Sequence, residues 1–223
     1  MCTEKKWRLI YTQSMYNVPT EIWGPGVWQA LISCAWHLTH DTVPVFERVL
    51  RDEVPALLPC RKCRQHYRKN YTAALARSKR RARRQNEQAP SERALDVVWC
   101  LKDAVNASLN VESAVSIEEL GTRCRASGAP VDDVLLADAL VFMAVVADKA
   151  RADIFVALCK SLSTLLPLPH DSQFGNVLAS LQVPRKDVTS VAAAVRAATA
   201  ARTERGLPVY TRTHYLSFAE EEA

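Results

Sequence analysis

Apolar residues recur at three- and four-residue spacing through almost all of the 223 residues, and no run alternates with the two-residue period of a strand. That pattern points to an all-α fold. Val27, Trp28, Leu31, Ile32, Ala35 and Leu38 form the first stripe, behind Pro25 at a first-turn position after Trp23-Gly24. A second helix is expected from Pro44 to about Val54, with Val45, Phe46, Val49 and Leu50 as its apolar face. A third starts near Cys60, continues through Tyr71–Ala76 and dissolves into the basic run Arg77–Arg84. Pro90-Ser91-Glu92 opens a fourth, and Ser116-Ile117-Glu118-Glu119 has the capping-box form that starts a short fifth. Gly128-Ala129-Pro130 is the expected boundary between a first domain, residues 1–128, and a C-terminal helical domain, residues 129–223, with an acidic tail. Two or three helices are expected between Val131 and Arg205, stopped by Gly206 and Pro208. Their apolar faces call for packing onto the first domain or across a dimer.

Glycine is scarce, and this excludes whole classes of site. Of six glycines only Gly24 and Gly26 lie close together, and Gln29 stands where a dinucleotide fingerprint needs its third. Loop-built phosphate sites are therefore excluded. Seven cysteines fall far below the ~8–10% of a disulfide scaffold, and the odd number leaves at least one thiol unpaired. No apolar stretch follows the N-terminal charges as in a secretory signal. The longest apolar stretch, Ala139–Ala147, is far shorter than the ~20 residues of a membrane span. The expectation is a protein with no membrane contact, made in the reducing cytoplasm, where a Cys-x-x-Cys is redox-active or metal-binding more often than structural.

Charge is unevenly placed. Residues 1–86 carry sixteen Lys and Arg against six Asp and Glu, whereas residues 87–223 carry thirteen against eighteen. Arg61–Arg84 alone holds eleven basic residues and no acidic one. Such a field attracts anions and stabilises thiolates. Its distal part, Arg77–Arg84, offers a weak nucleic-acid contact, although the interleaved aromatics of base recognition are missing inside it.

The chemistry centres on Leu58-Pro59-Cys60-Arg61-Lys62-Cys63-Arg64-Gln65-His66. Cysteines three apart at a helix start share a face and can close a disulfide across the first turn. The helix dipole and the adjacent cations lower thiol pKa there. A reactive, easily reduced pair follows, with His66 expected on the same face. The alternative is a zinc-bound helical adaptor in which Cys60, Cys63 and His66 are ligands with a distant fourth; no second Cys-x-x-Cys is present to complete it, and no metal is expected.

Trp23-Gly24-Pro25-x-x-Trp28-x-x-Leu31, Phe46-Glu47, Leu-Pro-Cys-x-x-Cys-x-x-His and Val105-Asn106-x-x-Leu109, in that order over about Trp23 to Leu120, closely resemble the Erv/ALR family of FAD-dependent sulfhydryl oxidases. The motif around the cysteines is more similar to that of the large-DNA-virus members than of the cellular ones. The resemblance implies a four-helix bundle plus a short fifth helix that holds FAD, usually as a homodimer. It implies an enzyme that oxidises protein dithiols, or a thioredoxin-like partner, and passes electrons through flavin to O₂, giving hydrogen peroxide. Cys60 would be attacked by substrate and Cys63 would lie next to the flavin. Trp23, Gly24, Trp28 and His66 would border the cofactor, with Val105, Asn106 and Leu109 from the fourth helix.

The chain also departs from the family pattern. Ile32 follows Leu31 where Leu-His is usual, and Lys102-Asp103 replaces His-Asn. Lys102 shares a helix face with Asn106 and Leu109, which makes it a candidate partner for FAD phosphate. The family's structural disulfide is missing, and a Cys100–Cys124 bond would stand in for it. Cys34 and Cys159 lie on apolar stretches and are expected to be buried and inert, leaving Cys2 as the odd thiol. Trp99, which no motif fixes, is expected to be a core aromatic.

Overall fold

A computed structural model describes residues 20–58, 61–82, 89–108, 115–147, 151–168, 173–180 and 190–210. Among the described residues the chain is helical and has no strand, in keeping with the all-α expectation. The first half contains α1 (Thr20–Trp36), a 3₁₀ turn (His40–Thr42), α2 (Val43–Arg48), a π-helical stretch (Val49–Glu53) and α3 (Val54–Leu57). It continues with α4 (Arg61–Ala82), α5 (Pro90–Ser108) and α6 (Ile117–Ser127). The second half contains α7 (Asp133–Val146), α8 (Ala152–Leu165), α9 (Gln173–Ser180) and α10 (Ser190–Glu204), so four helices stand where two or three were expected.

Helix α1 buries Trp23, Val27, Ala30, Leu31, Cys34 and Ala35; of the expected stripe Val27, Leu31, Ala35 and Leu38 are buried, whereas Trp28 and Ile32 are half-buried. It begins before Pro25, however, so that proline sits exposed inside the helix and not in its first turn. Helix α2, the π stretch and α3 form one path whose inner side is Phe46, Val49, Leu50, Val54 and Leu57. The wider π turn lies just ahead of Pro55, which withholds the amide an α-helix would use. Glu53, only 3% exposed, accepts from Arg48 Nε (2.8 Å) and from Ser161 Oγ (3.3 Å), fastening this path to α8.

Helix ends follow local chemistry. Ser116 Oγ caps α6 by accepting from the Glu119 amide, and Gly128 at φ 72° closes the same helix in the left-handed conformation. Gly206, at φ 63°, lies just past the end of α10, where its amide donates to Thr203 O. Asp132 caps α7 through the amides of Val134 and Leu135 and pairs with Arg205 at 2.8 Å. Burial alone would raise the Asp132 carboxyl, but Arg205 and those amides outweigh it and hold the group below its usual value. A depressed carboxylate stabilises above its unfolded pKa of about 3.9, and that contribution is lost as pH falls through the folded value. Asp132→Ala is therefore expected to cost about 1 kcal/mol near neutrality and to flatten the acid limb of the stability curve. An acid limb like that of the unaltered protein would contradict this.

Gly128 ends a helix but does not separate two cores. Helix α7 packs on α1, on the side away from α5, and α8 packs on α2, the π stretch and α3. Leu136, Ala137, Ala139, Leu140, Val141, Phe142, Met143 and Ala144 are all buried, so α7 is enclosed on every side, between α1 and α10. Alanines 194, 197, 198 and 201 give α10 the flat face that approaches it. Arg202 donates to Asp138 (2.7 Å) and to the Pro208 carbonyl and stacks on Tyr210, locking the two helices together. The void where α1, α3, α7 and α8 meet is only about 20 Å³. The described part of residues 129–223 thus packs onto the first half.

Gly26 marks the closest approach of α1 to α7, because a Cβ there would fall well inside contact distance of the Leu135 backbone carbonyl. Backbone cannot swing aside as a side chain can, so Gly26→Ala is expected to destabilise by about 1–3 kcal/mol. Thermal melting would read it, and an unchanged Tm would refute it.

No helix among the described residues is long and apolar enough to cross a membrane.

Candidate functional site at the start of α4

Cys63 lies in the first turn of α4, half-buried against the core, and is disulfide-bonded. Its expected partner, Cys60, lies outside the described residues, as does Cys2. The four other described cysteines, Cys34, Cys100, Cys124 and Cys159, are buried free thiols. Burial pushes the thiols of Cys34 and Cys159 far up, in line with the inert role expected of them. The first turn of α4 holds no acidic residue, so nothing opposes the dipole's preference for a thiolate. Arg64 donates to the Leu58 carbonyl at 2.7 Å, bracing the segment that leads into the turn.

The Cys100–Cys124 bond expected from sequence does not form. Their thiols have different surroundings. Burial and Asp96 push Cys100 up while Arg77 and Arg81 pull it down, whereas Cys124 is raised by burial and feels Arg125. The tie between α5 and α6 is made instead by Trp99, whose Nε1 donates to the Val115 carbonyl at 3.0 Å.

Successive helical residues turn by about 100°, so the i+3 and i+4 neighbours of Cys63 diverge around α4. The core lies on the i+4 side. Tyr67 is buried, and His66, the i+3 neighbour of Cys63, is exposed. The inward face of α4 instead carries Cys63, Tyr67 and Asn70, with Tyr71 stacked against Tyr67 at 6.4 Å between ring centroids. The Tyr67 hydroxyl and Asn70 Nδ2 are both buried and have no hydrogen-bond partner among the described residues. Burial raises the Tyr67 phenol, keeping it protonated. Buried polar groups without partners are rare enough to need an explanation, and a bound polar ligand is one. Sequence reading missed these two residues, although their spacing from Cys63 was the available signal.

Helices α4 and α5 run antiparallel, and two ion pairs set their register. Arg77 meets Asp103 at 2.9 Å and Arg81 meets Asp96 at 3.0 Å, and both guanidinium groups lie over the Trp99 ring. By that register Lys102, Val105 and Asn106, all half-buried, lie beside the middle of α4, Lys102 level with Arg77, while Cys63 lies further along α4 towards its start. Lys102 has no ion-pair partner among the described residues, unlike Asp103 beside it. Leu109 lies outside the described residues. Trp23 is a core aromatic at 5% exposure, Gly24 is buried beside it, and Trp28 is half-buried; they reach this assembly through the packing of α1 on α5.

The same ion pairs explain why α4 continues to Ala82 where it was expected to dissolve. Arg77 and Arg81 are held by α5, which removes two cations from the tract considered for nucleic acid. Lys79 and Arg80 remain exposed, and Arg83 and Arg84 lie outside the described residues. Compared with protein-family models, with characterised proteins and with solved structures, the chain finds no match.

Proposed function

We propose that this protein is a FAD-dependent sulfhydryl oxidase, with Cys60 and Cys63 as its redox pair. The observation that carries the reading is the state of its cysteines: Cys63 is bonded, at the start of a basic helix, while the other described cysteines are buried free thiols. A substrate thiolate attacks Cys60, the S–S bond breaks, and Cys63 leaves as a thiolate favoured by the helix dipole. A second substrate thiolate attacks the mixed disulfide at the substrate sulfur. Substrate departs as a disulfide and the pair is left reduced by two electrons. FAD, when bound, takes up those electrons and delivers them to O₂, giving hydrogen peroxide.

The residues present fit a flavin lying along the hairpin. The Tyr67 hydroxyl and Asn70 Nδ2 offer hydrogen bonds unmet among the described residues on the face of Cys63, and Lys102, further along at the level of Arg77, offers a half-buried cation with no ion-pair partner among the described residues. Trp28, Val105 and Asn106 would supply apolar and polar wall. The motif order noted in the sequence supports the same reading.

A visible spectrum of the purified protein, followed by oxygen uptake with a small dithiol, tests the proposal. A flavin band and dithiol-dependent uptake are expected. A colourless protein that consumes no oxygen overturns it.

A further inference from the structure

A pocket of about 520 Å³ lies between the π-stretch path, the Tyr71–Lys79 part of α4 and the first turns of α5. None of the residues assigned above to the flavin lines it. Its volume falls within the ~300–1,000 Å³ typical of small-molecule sites. Phe46, Leu50, Leu75 and Val97 make an apolar interior. One buried polar group interrupts that interior. Ser78 lines the pocket, is only 2% exposed, and its hydroxyl has no hydrogen-bond partner among the described residues. Lys79 and Arg93, also in the lining, are exposed, and neither has an ion-pair partner among the described residues. Glu47, the acid of the lining, lies beside Arg51, and Arg51 is also bonded to Asp52 at 2.8 Å. The uncompensated charge of the pocket is therefore positive and comes from Lys79 and Arg93.

We propose that this pocket binds a small amphipathic monoanion: an apolar body of aryl or acyl type that fills the interior, with one carboxylate or sulfonate held by Lys79 and Arg93. The apolar lining supplies affinity by removing hydrocarbon from water. The two cations supply selection for an anionic end, and the Ser78 hydroxyl supplies a hydrogen bond to a polar atom of the body. The inference does not rest on the flavin reading, because none of the residues it uses is assigned to the flavin.

Anilinonaphthalene sulfonate is the probe, titrated by fluorescence into the full-length protein. One saturable site per chain is expected, with the neutral analogue phenylnaphthylamine binding at least tenfold more weakly. Lys79→Glu combined with Arg93→Glu should weaken the sulfonate at least tenfold and leave the neutral analogue unchanged. Ala94→Phe, which fills the pocket from α5, should remove both ligands. Because a filled core position can also unfold a chain, the exposed charge reversal carries the test alone, with circular dichroism confirming its fold. Full sulfonate affinity in the charge-reversed protein, or no saturable binding to the folded wild type, overturns the proposal.

Discussion

Cys63→Ser should reduce dithiol-driven oxygen uptake by roughly three orders of magnitude or more while leaving bound flavin in place. The side chain is only half-buried in the first turn of the helix and serine is nearly the same size, so the fold should survive. What is lost is the leaving thiolate: with serine there is no disulfide for a substrate to attack. A second readout does not depend on activity. The number of thiols titrated in the denatured protein should rise by one, because the partner of Cys63 is released. Cys34→Ala and Cys159→Ala make the contrast, since both thiols are fully buried and pushed far from ionisation. Each should cost roughly 1 kcal/mol of packing and leave the rate near wild type. Equal rates for Cys63→Ser and wild type would show that Cys63 takes no part in turnover.

A chain ending at Gly128 should lose its cooperative unfolding transition. Removing α7 uncovers the face of α1 that holds Val27, Ala30 and Leu31, and removing α8 uncovers Val54 and strands the Glu53 carboxylate without Ser161. Arg151 also donates to the Ala56 carbonyl, a tie lost with the second half. Each large apolar side chain returned to water forfeits about 1.5–3 kcal/mol. A few of them together consume the ~5–15 kcal/mol by which a domain of ordinary size is stable. Calorimetry of residues 1–128 would read the result. A sharp transition within a few degrees of the full chain would mean that the first half folds alone and the shared core is dispensable.

How far the sequence carried depends on the range of the physics. The Ser116 cap, the Gly206 stop and part of the α1 stripe (Val27, Leu31 and Ala35) were legible, because each is decided within one or two turns of chain. The placement of Cys63 in a first turn was legible for the same reason. The extension of α4 was not, since the partners of Arg77 and Arg81 lie 26 and 15 residues away on another helix. Nor was the π stretch, whose Glu53 is held by Ser161 from 108 residues further on.

Periodicity in the sequence therefore determined that the described residues are helical and that Cys63 lies near a helix start. Only the tertiary structure decided which side of each helix is inward. On α4 it buries Tyr67 and leaves His66 exposed, which the 3.6 period alone does not decide. It also decided that one core spans both halves of the chain. A glycine at position 26, with no side chain to signal its purpose, lets α7 lie directly against α1.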